Sequence, residues 1–147
     1  FIGIRFFSVY GPWGRPDMFY YKFLKSIKNN KSIKIFNYGN HYRSFTYIDD
    51  VISNLFKIIN KFSNSKKNVC DVFNIGNPRS IKLNYFIKLI EKRFKMKAKK
   101  KYIKKQPGDV MITKANLLRE KKIFNHSINV SLESGVQKLI YWFNKYR

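Results

Sequence analysis

Residues 2–9 read Ile-Gly-Ile-Arg-Phe-Phe-Ser-Val, a run broken only by Arg5 and Ser8. A near-continuous apolar run of this length suits a strand buried on both faces of a parallel sheet. It runs into a Gly11-Pro12 turn and a Trp13-Gly14-Arg15-Pro16-Asp17 loop. Beyond the loop, Phe19, Phe23, Leu24 and Ile27 recur at helical spacing. Asp17 is placed to cap that helix, which the pattern carries to about Lys28.

The alternation continues down the chain. A short strand is predicted over 33–36, ending in a turn at Tyr38-Gly39-Asn40, and an extended segment over 43–48. A helix follows from Asp49 or Asp50, with Val51, Ile52, Leu55, Phe56, Ile59 and Phe62 as its expected buried face. Residues 63–68 are polar and form the clearest loop. A strand over 72–75 stops at Gly76-Asn77-Pro78. Leu83, Phe86, Ile87, Ile90 and Phe94 mark another helix. A strand over 99–103 and a Gln106-Pro107-Gly108-Asp109 turn come next, then a short helix over 114–121. Ser131 is placed to cap a last helix whose inward residues are Leu132, Val136, Leu139, Ile140 and Phe143. Strands alternating with helices give an α/β class.

The chain has 147 residues, the size of one domain. No apolar run approaches a membrane span. The opening Phe1-Ile2-Gly3-Ile4 is too short for a signal peptide and lacks a basic flank. It resembles a strand caught in mid-protein. Cys70 stands alone, which excludes an internal disulfide and fits a reducing, cytoplasmic compartment. The net charge of +23 raises a nucleic-acid-binding reading, a different class of function. Against it, the chain holds 24 Lys and only 7 Arg, with 18 Ile and 15 Asn, an excess that AT-rich coding also produces. Phosphate-binding surfaces favour the guanidinium fork. The densest cluster, Lys97, Lys99, Lys100, Lys101 and Lys104, fits a solvated strand and helix end.

No self-contained active site emerges, and no catalytic residue is assigned. His41 and His126 have no Cys or carboxylate at ligand spacing and are expected on surface loops; no metal site is assigned. Asp49 and Asp50 suit a helix N-terminus, a structural role. The glycine fingerprint of a dinucleotide cradle is absent.

Four stretches carry a family resemblance in their order and spacing: 5–18, 33–39, 43–51, and 106–110 with Thr113 and Ala115. The chain resembles the NAD-dependent epimerase/dehydratase family of extended short-chain dehydrogenases. Trp13-Gly14-Arg15-Pro16-Asp17-Met18 is similar to the UDP-glucuronate 4-epimerase branch. In that family the opening strand lies past the middle of the chain. The resemblance therefore implies the C-terminal part of a Rossmann-like fold with its smaller substrate-binding domain. Residues 1–147 would be the substrate-binding part, with the NAD-binding part absent. The implied activity is conversion of UDP-glucuronate to UDP-galacturonate by transient oxidation at C4, feeding surface polysaccharide. Another UDP-sugar epimerase or a dehydratase is the alternative within the family. NAD would be held mainly by the missing part, and the full-length protein would be a homodimer. The resemblance also places the proton-transferring Tyr of a Tyr-x-x-x-Lys motif upstream. Tyr21 and Lys25 match that spacing by coincidence, since they follow the Pro-Asp-Met signature.

The same resemblance assigns site residues. Phe6 and Phe7 match the strand end beneath the nicotinamide. Ser8 stands where a small polar residue bonds the substrate; the alternative is a Ser bonded to backbone. Ile35 and Phe36 match the strand that receives uracil, or Phe36 is core. Arg43 matches the diphosphate arginine, with Ser44 in place of the usual Asp loosening whatever orients it. Asp109 matches the carboxylate that accepts from ribose hydroxyls. Gln106 stands where many relatives carry a second phosphate arginine. Arg15 would face the diphosphate or the glucuronate carboxylate, or be a structural loop arginine.

Overall fold

The computed structural model describes residues 1–63, 65 and 68–147, so the polar loop expected over 63–68 falls partly outside the described residues. In chain order its elements are β1 (Ile2–Phe6), β2 (Ser8–Tyr10), α1 (Phe19–Lys28), β3 (Ser32–Ile35), β4 (Tyr42–Arg43), β5 (Phe45–Tyr47), α2 (Ile48–Phe62), β6 (Asp71–Ile75), β7 (Ile81–Lys82), α3 (Leu83–Phe94), β8 (Lys99–Tyr102), α4 (Leu118–Phe124) and α5 (Leu132–Tyr146). The class is α/β, as expected.

The opening apolar run is two strands. β1 pairs in parallel with β6, Ile2 opposite Asp71 through Phe6 opposite Ile75. At Phe7 the chain changes partner, and β2 pairs in parallel with β5. The hand-over is visible in the backbone bonds: Phe7 N donates to Ile75 O at 3.3 Å and Ser8 N to Ser44 O at 3.2 Å. Burial on both faces of β1 is not observed. Ile2 and Ile4 are half-buried and Phe6 is 54% exposed. One face of β1 packs on the small cluster of Val51, Ile58, Phe73, Ile75 and Phe124, while Arg5 and Phe6 are exposed.

The larger core gathers α1, α3 and α5 around Tyr10, Phe45 and Phe86. Phe45 and Phe86 stack with centroids 4.2 Å apart, and Tyr10 meets four neighbouring rings edge-on. β3 pairs in parallel with β8, and β4 pairs antiparallel with β7.

Several expectations shift in detail. Asp17 does not cap α1; Met18 takes that position without a side-chain bond, because Asp17 is drawn into a bidentate pair with Arg15. α2 buries Val51 and Ile58, with Leu55 and Phe62 half-buried, but leaves Ile52, Phe56 and Ile59 exposed. Its inner face is turned by two polar residues. Asp50 accepts from the backbone N–H of Asn129 and Val130, and Asn54 exchanges bonds with Ser127. The short helix predicted over 114–121 lies at α4, because Ala115 and Leu117 are buried in extended chain and Asn116 Oδ1 accepts from Leu118 N. Ser131 caps α5 as predicted, accepting from Ser134 N at 3.1 Å.

α5 can lie against β2 and β5 because residue 135 is glycine. A Cβ there would come 2.1 Å from Tyr10 Oη and 2.9 Å from the Tyr47 ring. In an open helix Gly→Ala gains up to about 1 kcal/mol, but overpacking costs about 1–3 kcal/mol. Gly135→Ala is therefore expected to destabilise the fold by roughly 1–2 kcal/mol in urea unfolding. Adding Tyr10→Phe, which removes the clashing hydroxyl, should return part of that loss. A stabilised Gly135→Ala protein would show that this contact does not set the helix approach.

Candidate functional site

β2, the turn after β3, β4 and the loop after β8 converge on a cavity of about 220 Å³. Ser8, Phe36, His41, Arg43 and Asp109 line it, with Phe19, Tyr20, Phe45 and Leu83 among its walls. That volume takes part of a nucleotide-sized ligand.

Local sequence explains how these side chains arrive. After β3 the chain makes a tight turn over Phe36–Gly39, with Asn37 and Tyr38 at φ of 48° and 52°. Gly39, at φ 74°, closes it against Asn84, whose Oδ1 lies 1.9 Å from where a Cβ would stand. Asn84 Nδ2 also donates to Tyr38 O at 2.9 Å. The turn delivers His41 and Arg43 to the cavity. Gln106-Pro107-Gly108-Asp109 forms the expected turn, with Asp109 N bonded to Gln106 O at 3.2 Å and Gly108 at φ 76°. A left-handed residue at this position of a Pro-Gly turn calls for glycine.

Asp109 is the centre of the site. Arg43 Nη2 donates to its Oδ1 at 3.1 Å, and His41 Nε2 lies 2.9 Å from its Oδ2. Arg43 Nη1 donates to the carbonyls of Tyr42 and Met111. The loop is further held by Tyr42 N on Met111 O and Thr113 N on Tyr42 O. A guanidinium has five N–H donors. Three are engaged here, so Nε–H and one Nη2–H have no protein partner among the described residues.

Ser44 does not leave Arg43 loose. Its side chain is fully buried and bonded both ways to Asn77, donating to the carbonyl at 2.7 Å and accepting from the N–H at 2.9 Å. Arg43 is oriented by Asp109 and by backbone carbonyls instead.

The other expected residues divide. Ser8 lines the cavity and its hydroxyl makes no protein bond among the described residues. Phe36 lines it too, while Ile35 is fully buried behind it with its carbonyl bonded to Ile103 N. Gln106 is exposed at the turn, outside the lining. Arg15 lies outside as well, its side chain 75% exposed and tied to Asp17. Phe6 and Phe7 are at the β1 end, where the Phe7 ring covers Gly76. Tyr21 packs on Trp142 and Phe143, away from the cavity.

The histidines correct the sequence reading. Both are buried, not surface loop residues: His41 packs beside Asp109, and His126 against Phe124. Spacing alone gave no signal, because the loop that meets His41 lies far along the chain. Burial lowers the pKa of each; Asp109 opposes the shift at His41 and Glu120 at His126. Among the described residues no group of three metal-ligating side chains forms, and no helix is long and apolar enough to cross a membrane.

Residues 1–76 match the NAD dependent epimerase/dehydratase family. The chain belongs to that family. An uncharacterised protein of Methanocaldococcus jannaschii is 45% identical over 97% of this chain and 42% of its own length. UDP-glucuronate 4-epimerase 4 of Arabidopsis thaliana is 37% identical over 98% of this chain and 36% of its own length. The chain thus spans less than half the length of these relatives. A solved UDP-glucuronic acid 4-epimerase of Bacillus cereus, in complex with UDP-glucuronic acid and NAD, is 31% identical with a TM-score of 0.87, over 98% of this chain and 45% of that one. The fold is therefore that of part of an extended short-chain dehydrogenase.

The family's dinucleotide is not matched by a cradle in these residues. Diphosphate binding of that kind uses glycines opening a helix. The left-handed glycines among the described residues are Gly11, Gly39 and Gly108, and none directly precedes a helix.

Two buried neutral histidines make stability depend on pH. Each has a folded pKa below its ordinary 6.5, so the unfolded chain takes up protons first as pH falls. Their contribution is complete above pH 6.5 and is lost on acidification below it. The carboxylates with lowered pKa, Asp17, Asp71 and Glu133, act further down, below 4.5. The urea midpoint should therefore fall between about pH 7 and pH 5, and His126→Gln should flatten that fall. A midpoint constant over this range would contradict the burial of both imidazoles.

Proposed function

We propose that this chain supplies the nucleotide-sugar side of a NAD-dependent UDP-sugar 4-epimerase, with UDP-glucuronate and UDP-galacturonate as the interconverted pair. Family membership and the named UDP-glucuronate 4-epimerases among its relatives support the reading. The observation that carries it is Arg43, locked at the cavity wall with two adjacent-nitrogen donors still unpartnered. Such an edge suits two phosphate oxygens. Ser8 offers a free hydroxyl on the same cavity, Phe36 an apolar wall for a base, and Asp109 an acceptor for ribose hydroxyls. Ile35 acts from behind, by fixing the strand that presents Phe36. Gln106 and Arg15 would join only if the loops carrying them close over the ligand.

When bound, NAD supplies the oxidation and reduction at the sugar carbon. The residues here bind and orient the nucleotide-sugar, and Phe6 and Phe7 offer the dinucleotide only an apolar flank. Residues 1–147 are then the substrate-binding part of a longer enzyme, acting in the cytoplasm as a homodimer.

Arg43→Ala should weaken UDP-sugar binding about tenfold to a hundredfold, the equivalent of one charge-assisted bidentate contact. Arg43→Lys should recover only part, since charge returns without the fork. Calorimetry with UDP-glucuronate and with uridine checks this. Equal weakening of uridine would move the phosphate role elsewhere.

The chain by itself should show no epimerisation of UDP-glucuronate in the presence of NAD, because it has neither the dinucleotide cradle nor the upstream Tyr. Turnover by the 147-residue chain would instead make Tyr21 and Lys25 the proton-transfer pair. In the same preparation, retention on heparin at moderate salt without any UDP-sugar affinity would favour nucleic-acid binding.

A further inference from the structure

His41 is the one imidazole among the described residues lining the cavity, and the family resemblance assigns it no role. It is 4% exposed, and its Nε2 lies 2.9 Å from Asp109 Oδ2. The approach is close but off-line, so Nε2–H has no well-directed acceptor among the described residues. The other carboxylate oxygen belongs to Arg43. The His41 carbonyl is fixed by Leu83 N at 2.8 Å, which anchors the residue to the start of α3. His41 is thus tied through its backbone to the start of α3, while the Asp109 carboxylate, on a loop held by backbone bonds to Tyr42, meets Arg43 with one oxygen and His41 with the other.

We propose that His41 is a positioning residue of the nucleotide-sugar pocket: it faces the second oxygen of Asp109 while Arg43 takes the first, and so sets where carboxylate and guanidinium point in a way that depends on its own protonation. The proposal rests on the nucleotide-sugar reading of the cavity.

The charges acting on His41 are Asp109 from the loop after β8, which favours the imidazolium, and Arg43 and Lys105, which oppose it. On β7, Lys82 stands opposite Tyr42. At neutral pH the buried ring is uncharged, and its Nε2 lies close to Asp109 Oδ2 without a directed bond to it. On acidification it becomes a second cation beside Arg43. It then shares more of the carboxylate's charge and frees the guanidinium to attract a diphosphate. Binding of a nucleotide-sugar should thus tighten as pH falls. A purely structural histidine would give no such trend.

The test uses the longer enzyme of which these residues form the substrate-binding part, and two independent readouts. Proton NMR follows the His41 ring through its titration in the wild type and in Asp109→Asn. Removing the carboxylate charge should lower the His41 midpoint further; an unmoved midpoint overturns the pairing. Calorimetry then follows UDP-glucose, whose diphosphate diester and neutral sugar do not titrate in this range. Wild-type affinity should rise about three- to tenfold from about pH 7.5 to about pH 5.5. His41→Gln, which keeps a donor but cannot be protonated, should stay within about threefold of wild type at the higher pH and show no rise. His41→Phe should bind about tenfold more weakly. Parallel pH profiles for wild type and His41→Gln overturn the proposal. If Asp109→Asn shifts the titration but UDP-glucose and UDP-glucuronate both fail to bind, the nucleotide-sugar reading itself falls, and His41 is only a structural partner of Asp109.

Discussion

The change of partner at Phe7 organises the rest of the molecule. Backbone groups that leave water must find partners, and this run finds them on β6 up to Phe6 and on β5 from Ser8 onward. Had the strand stayed on one partner, the two halves would not be joined at this point. The switch puts Ser8 beside Ser44, and so beside Arg43. Ser44, buried and bonded to Asn77, ties the same point to the turn after β6. The cavity therefore opens where two strand pairs meet, a place where ligands commonly bind in open α/β sheets.

Carboxylates are the scarce resource of this chain, with eight acidic residues against 31 basic ones. Each one has a partner, but the partners differ in weight. The pairs of Asp17 with Arg15 and Asp49 with Lys138 are exposed and contribute little. Asp50 and Glu120 are buried and satisfy backbone N–H groups that would otherwise be orphaned. Asp109 alone draws a guanidinium and an imidazole to a cavity wall. In a molecule this basic, a buried acid is informative, because it marks where the fold requires a negative group.

The excess lysine is used differently. Lys97, Lys99, Lys101 and Lys104 are exposed around β8, while Lys100 pairs with Glu91 at 2.6 Å. This is the solvated strand edge that the composition suggested, with no built phosphate fork in it.

Much was legible from sequence. Period-2 and period-3.6 apolar patterns fixed the order of elements, since these periodicities follow from local backbone geometry. Ser131 as a cap and Gly108 in its turn were readable because each acts within three residues of itself. The family resemblance over 43–51 and 106–110 singled out Arg43 and Asp109, and the fold brings these two side chains together at one cavity wall. Facing and burial were not legible. Ile52, Phe56 and Ile59 belong by pattern to the inner face of α2, yet remote backbone at 127–130 claims Asp50 and Asn54 and turns the helix. His41 carries no local mark at all. Its burial and its approach to Asp109 exist only because the turn after β3 and the loop after β8 close on each other. Sequence determines what a residue does to its neighbours along the chain; contacts between residues far apart in it depend on loop closure, which only the folded structure decides.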